Sequence, residues 1–146
     1  GGSAADAQHL AAEFLIRLRP KVNRKPIQAI SLALDTSTIT ACGNDYNFDK
    51  IFSRPFQALV KKNDVLIAIS TSGNSKNIIE VLKEAKKKKI FSISFLGFKG
   101  GRAKKYSKKY LLIKSNNVAR IQEAHIFLGH FILEKVEDLL LKSKII

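Results

Sequence analysis

VLIAISTSGNSKNIIEVLKEA, residues 65–85, decides how this chain folds. Val65 to Ser70 is a short apolar run of strand length, too brief for a buried helix. It passes directly into Ser70-Thr71-Ser72-Gly73-Asn74-Ser75, and an amphipathic helix is expected from Ser75 to Lys88. A buried strand turning straight into a helix is one half of a strand–helix–strand unit, which belongs to a parallel sheet.

The same alternation extends in both directions. Ala4 to Leu18 reads as a helix, with Asp6 in its first turn and Pro20 just past its end. Ile27 to Leu34 reads as a strand. Phe48 to Lys61 reads as a helix that Pro55 kinks or restarts. Ile90 to Leu96 and Tyr110 to Lys114 read as further strands, separated by the loop GFKGG at 97–101, and Ala119 to Lys142 as a long last helix. The fold class is therefore α/β: a doubly wound parallel sheet flanked by helices, Rossmann-like in plan. No repeat, linker or low-complexity tract divides residues 1–146, so one domain is expected.

Composition narrows the function classes. No apolar run approaches the roughly 20 residues that span a bilayer, so no membrane partner is expected. Cys42 is the only cysteine, which excludes a disulfide framework and makes a cytoplasmic setting the default. The net charge of +14 invites a nucleic-acid reading. Its lysines, however, lie in short runs (86–89, 104–105, 108–109) with few aromatics between them, and no nucleic-acid-binding motif accompanies them. No nucleic-acid partner is expected, and a basic surface also draws in phosphorylated small molecules.

In doubly wound folds ligands sit at the carboxyl ends of the strands. Ser70, Thr71, Ser72 and Ser75 stand there, at a helix start whose unpaired N–H groups favour an anion. One such residue suffices as a helix cap; four exceed that need, and a phosphate cradle is the better reading. No lysine completes a GxxxxGK[ST] loop, so a phosphorylated metabolite fits better than a nucleoside triphosphate.

Other candidates are ambiguous on spacing alone. His9 and Glu13, four residues apart, share one helix face and can bind a metal, pair a base with a donor, or simply decorate a surface. Gln122 and His130 point the same general way on the last helix. Its apolar stripe runs through Ile121, His125, Leu128, Ile132, Val136 and Leu139, making His125 a packed, hydrogen-bonded core histidine and leaving His130 off the stripe. Asn44 and Asp45 after Gly43 read as a turn, from which Asp45 can also reach a sugar hydroxyl. Gly1-Gly2-Ser3 is either a flexible leader or the glycine-rich edge of an anion site.

Taken together, GGSAADAQHLAAE, GNDYNFDKIFSR, DVLIAISTSGNS and ARIQEAHIFLGH resemble the SIS (sugar isomerase) family, and within it the branch acting on heptose 7-phosphates. The segments occur in the family's order and span nearly the whole chain. The resemblance implies an aldose–ketose isomerase that interconverts sedoheptulose 7-phosphate and D-glycero-D-manno-heptose 7-phosphate through an enediol, for heptose precursor biosynthesis in lipopolysaccharide or capsule. It assigns Ser70, Thr71, Ser72 and Ser75 to the phosphate, with Ser3 touching substrate nearby. It makes Glu13 the general base and His130 the general acid, and gives Asp45 and Gln122 to the sugar hydroxyls. Some members bind zinc through the equivalents of His9, Glu13, Gln122 and His130, and the family is usually a homotetramer. Some members carry an acidic residue where Ala119 stands. The family also has a strand ending in Gly-Asn and a helical region before Gly-Gly-Ser, so this chain is expected to be truncated at its N-terminus. Two alternatives compete: a non-catalytic SIS module that binds a replication-initiator protein, which would tend to lack the Glu13/His130 pair, and an isomerase of another sugar phosphate.

Overall fold

The computed structural model describes residues 1–33 and 35–146. Its centre is a three-stranded parallel sheet in the order β1 (Val65–Ser70), β2 (Phe91–Gly97), β3 (Lys109–Ile113). Val65 pairs with Phe91 and Ser70 with Leu96; Ile93 pairs with Lys109 and Gly97 with Ile113. The helices are α1 (Gly2–Leu15), α2 (Thr36–Asp45), α3 (Ser53–Leu59), α4 (Lys76–Lys87) and α5 (Val118–Lys142).

Alternation along the strands divides the core in two. Leu66, Ala68 and Leu96 face one way, against Phe56 of α3 and Val81, Leu82 and Ala85 of α4. Ile69 and Phe95 face the other way, against Leu10 of α1 and Leu133 of α5. Helices therefore cover both faces, as the α/β reading requires. Because both faces are covered, the strands are apolar runs rather than alternating ones.

Several expectations need correction. Residues 27–33 form no strand; Ile30 is 61% exposed, and the run bonds to α1 rather than to a strand, with the Ile27 N–H donating to the Phe14 carbonyl and the Ala33 carbonyl accepting from the Gln8 amide. Apolar composition without a ladder partner does not make a strand. Leu34, the end of that expected strand, lies outside the described residues. The segment expected as one helix over 48–61 divides into a 3-10 turn at Phe48–Lys50 and α3. Pro55 falls in the first turn of α3, where its missing N–H costs nothing. The first helix ends at Leu15 rather than Leu18, and Asp6 lies beyond its first turn. A helix not expected from the sequence, α2, is capped by Asp35, whose carboxylate accepts from the Thr38 N–H at 2.7 Å. On α5 the buried line is Ile121, His125, Gly129, Leu133 and Glu137, while Leu139 is 65% exposed.

No helix among the described residues is long and apolar enough to cross a membrane.

Candidate active site

Helices α1 and α5 lie side by side and run in the same direction. Gly2 lies against Gln122, Leu10 against Gly129, and His9 against His130. A Cβ on Gly2 would come within 2.5 Å of the Gln122 amide nitrogen, so the close approach at this end depends on glycine. Gly1 thus stands at the N-cap of α1, and Gly2 and Ser3 open the helix where it packs against α5.

Two turns further along, the histidines meet. His9 Nε2 and His130 Nε2 are 2.9 Å apart, and His9 Nε2 lies 3.3 Å from a Glu13 carboxylate oxygen. The ligand atoms of His9, Glu13 and His130 all fall within 4.8 Å of one another. The His9 side chain is half exposed and that of Glu13 about one-fifth exposed, so the cluster opens to solvent while keeping Glu13 partly shielded. The α1–α5 pairing turns two ambiguous spacings into one cluster.

Beneath it are two polar groups without partners among the described residues. The Asp6 Oδ2 atom is buried and unbonded, as are both ring nitrogens of His125. Burial raises the Asp6 carboxyl above its ordinary range, with the charges of His125, His9 and His130 opposing. Burial likewise pushes His125 below its ordinary value. His125 is a core residue as expected. Asp6, which the sequence reads only as a helix-start acid, stands one turn before His9 and so shares its side of α1.

The loop after β1 stands at the carboxyl end of the sheet. Ser70 Oγ accepts from the Gly73 N–H and Ser72 Oγ from the Asn74 N–H, both at 3.1 Å. Ser75 occupies the N-cap position of α4 yet makes no capping hydrogen bond through its side chain. The capping reading is therefore not fulfilled, and the hydroxyls of Thr71 and Ser75 make no hydrogen bond within the described protein. Gly73 adopts φ +64° and abuts the carbonyl of Gly100, where a side chain would collide. The Asn74 side chain accepts from Arg102 N–H at 3.0 Å, and Gly73 O from Ala103 N–H at 2.8 Å. A second loop thus braces the first from behind.

Gly97 joins the loop to the helix pair. A Cβ there would meet the Thr71 carbonyl at 2.5 Å and Ile121 of α5 at 2.6 Å. Thr71, the start of α5 and the start of α1 therefore converge. From Gln122 to His130 is eight residues, roughly 12 Å along a helix. The hydroxyl-rich loop and the His/Glu cluster therefore lie toward opposite ends of the α1–α5 contact.

Not every expected residue joins it. Asp45 closes α2 on the surface, its carboxylate accepting from the Asn44 amide at 3.0 Å. No hydrogen bond or ion pair links it to the cluster among the described residues. Gln122 stands two turns from His130, against Gly2, and makes no hydrogen bond to the three. Ser3 is half-buried in the first turn of α1.

The model of the SIS domain family matches residues 1–97. A phosphoheptose isomerase of Clostridium acetobutylicum is 48% identical over 145 residues, covering 99% of this chain and 73% of that protein. One from Campylobacter concisus is 49% identical over 138 residues, covering 94% and 72%. Among solved structures, a phosphoheptose isomerase from Neisseria gonorrhoeae superposes with a TM-score of 0.86 at 42% identity, covering 94% of this chain and 72% of the other. On fold and sequence similarity alike, this chain belongs to the SIS domain family and, within it, to the phosphoheptose isomerases.

Proposed function

We propose that the protein interconverts sedoheptulose 7-phosphate and D-glycero-D-manno-heptose 7-phosphate. The observation that carries this reading is the junction of His9, Glu13 and His130 two helical turns from a loop with uncommitted hydroxyls. A phosphate held by Thr71, Ser75 and the N–H groups opening α4 leaves an extended sugar long enough to present its first two carbons to the cluster.

From the ketose, the Glu13 carboxylate removes a proton from C1 while His130 delivers one to the C2 oxygen, leaving a 1,2-enediol. Return of the carbon-bound proton to C2, and loss of the O1 proton to His130, yields the aldehyde at C1. Protons balance, and no electrons leave the substrate. His9, in contact with both groups, orients them. Two imidazoles and a carboxylate within 4.8 Å suit zinc as a donor set. His9, Glu13 and His130 would hold the ion, and bound zinc would supply Lewis-acid polarisation of a carbonyl oxygen. Asp45 and Ser3 are assigned to the sugar, and residues 1–146 to one SIS domain. A cytoplasmic homotetramer completes the reading. Phe127 (67% exposed) and Phe131 (50% exposed), one turn apart on α5, support self-association, which sedimentation would test.

The decisive assay follows conversion of sedoheptulose 7-phosphate by the complete gene product. Glu13→Gln and His130→Ala should each lower kcat by about 100-fold or more with the fold intact. Wild-type rates in both variants would remove them from the chemistry. A wild-type protein without turnover that captures a replication initiator would be a binding module instead, and turnover confined to a shorter sugar phosphate would change the substrate.

A further inference from the structure

The last turn of α1 is held by a side chain from outside the site. Arg24 lies in the segment that leaves α1, and its side chain is 1% exposed. Its Nη2 donates to the backbone carbonyl of Glu13 at 2.8 Å and its Nη1 to that of Phe14 at 3.1 Å. These are carbonyls that a helix end leaves without internal partners. The Nε of the same group donates to Glu137 on α5 at 2.5 Å. Glu137 is 1% exposed and lies seven residues, two turns, beyond His130. One planar cation therefore joins the backbone of Glu13 to the helix that carries His130.

The arrangement is rigid on both sides. The second Glu137 oxygen accepts from Arg19 Nε at 2.6 Å, and Arg19 Nη2 reaches Asp138 at 2.7 Å. Among the described residues, Arg19 makes no hydrogen bond to α1. Within this network it is Arg24 that bonds both helices, and its fixed fork addresses the Glu13, Phe14 and Lys25 carbonyls and the Glu137 carboxylate, a set that a single ammonium cannot match.

We propose that Arg24 is a positioning residue that sets the spacing of the Glu13 carboxylate and the His130 ring. The inference rests on the assignment of those two groups to the chemistry. Near the reacting atoms a displacement of about 1 Å costs roughly 100-fold in rate, so a loosened clamp acts on turnover before it acts on binding at the distant loop.

The test compares Arg24→Lys with Arg19→Lys in the complete gene product, measuring kcat, KM for sedoheptulose 7-phosphate, and Tm. Arg24→Lys should lower kcat by about 10- to 100-fold with KM within about threefold. Arg19→Lys, in the same ionic network, should lower Tm and leave kcat within about twofold. Glu137→Gln, which keeps an acceptor for Arg24 but removes the charge, covers the case in which Arg24→Lys fails to fold; it should lower kcat by about threefold or more. Near-wild-type kcat in Arg24→Lys, or in Glu137→Gln if the first variant does not fold, overturns the proposal. Equal kcat losses in Arg24→Lys and Arg19→Lys overturn it too, since they mark a general stability effect. If Glu13→Gln itself retained wild-type turnover, the assignment of the base would fail first, and independently of the Arg24 result.

Discussion

Gly73 concentrates two constraints in one residue. Its φ of +64° is open to glycine, and the space a side chain needs is taken by the Gly100 carbonyl. Gly73→Ala should cost roughly 1–3 kcal/mol from backbone conformation alone, with a further loss from the collision. Urea unfolding measures the stability, and KM for the sugar phosphate should rise as the loop leaves its brace. His125 makes a second case at this scale. Its folded-state pKa is depressed by burial, so the unfolded chain binds the proton more readily than the native one. Stability should therefore decline as pH falls below the ordinary histidine value of 6.5 toward the lower native value. Asp6 acts with the opposite sign: its raised pKa means that stability is lost as pH rises from its ordinary 3.8 through the native value. Thermal unfolding across pH should show the decline below 6.5, and His125→Leu should flatten it. An unchanged profile would mean that His125 does not titrate on unfolding as described.

Among the elements, α5 organises the most. Its buried line holds Ile121, His125, Gly129, Leu133 and Glu137, a strict four-residue spacing, whereas the apolar residues of the sequence trace a neighbouring stripe. The two share Ile121 and His125 and part beyond them, because Gly129 admits Leu10 of α1 and Glu137 is buried by its bonds to Arg24 and Arg19 rather than by hydrophobicity. Burial would raise the Glu137 carboxyl, but hydrogen bonds from Arg24 and Arg19 outweigh it and hold it below its ordinary range. The depressed pKa stabilises the fold at neutral pH, and that contribution is lost as pH drops through the native value. Removing one partner leaves buried charge unpaired, so Glu137→Leu should cost about 3–5 kcal/mol, read by denaturant titration at neutral pH. Element α2 shows the reverse limit of sequence reading. Its Thr- and Ser-rich start has weak helix propensity, and the Asp35 cap three residues before Thr38 was the only clear signal.

For the whole molecule, the charge of +14 belongs to solution behaviour rather than to fold. A dianionic sugar phosphate is drawn to such a surface, and salt screens the attraction within about 10 Å at 0.1 M. The ratio kcat/KM should therefore fall several-fold on raising ionic strength from about 0.01 to 0.3 M, with kcat nearly constant. A salt-independent kcat/KM would deny the charge any part in capture.

The sequence by itself determined the parallel sheet, the helices α1, α4 and α5, and the hydroxyl-rich loop at the end of β1. Each rests on local information: an apolar run of strand length, a 3.6-residue period, or a turn rich in Ser, Thr and Gly. It did not determine whether 27–33 pairs as a strand, because pairing depends on a neighbour elsewhere in the chain. Nor did spacing alone promote His9, Glu13 and His130 above surface residues; only the family resemblance singled them out. Their meeting across 121 residues of sequence was decided by the parallel packing of α1 on α5, with Leu10 against Gly129. The bridge from Arg24 to Glu137 was settled in the same way, by tertiary burial that brings a loop cation to a helix anion. A site assembled from two helices exists only when the contact that aligns them has formed.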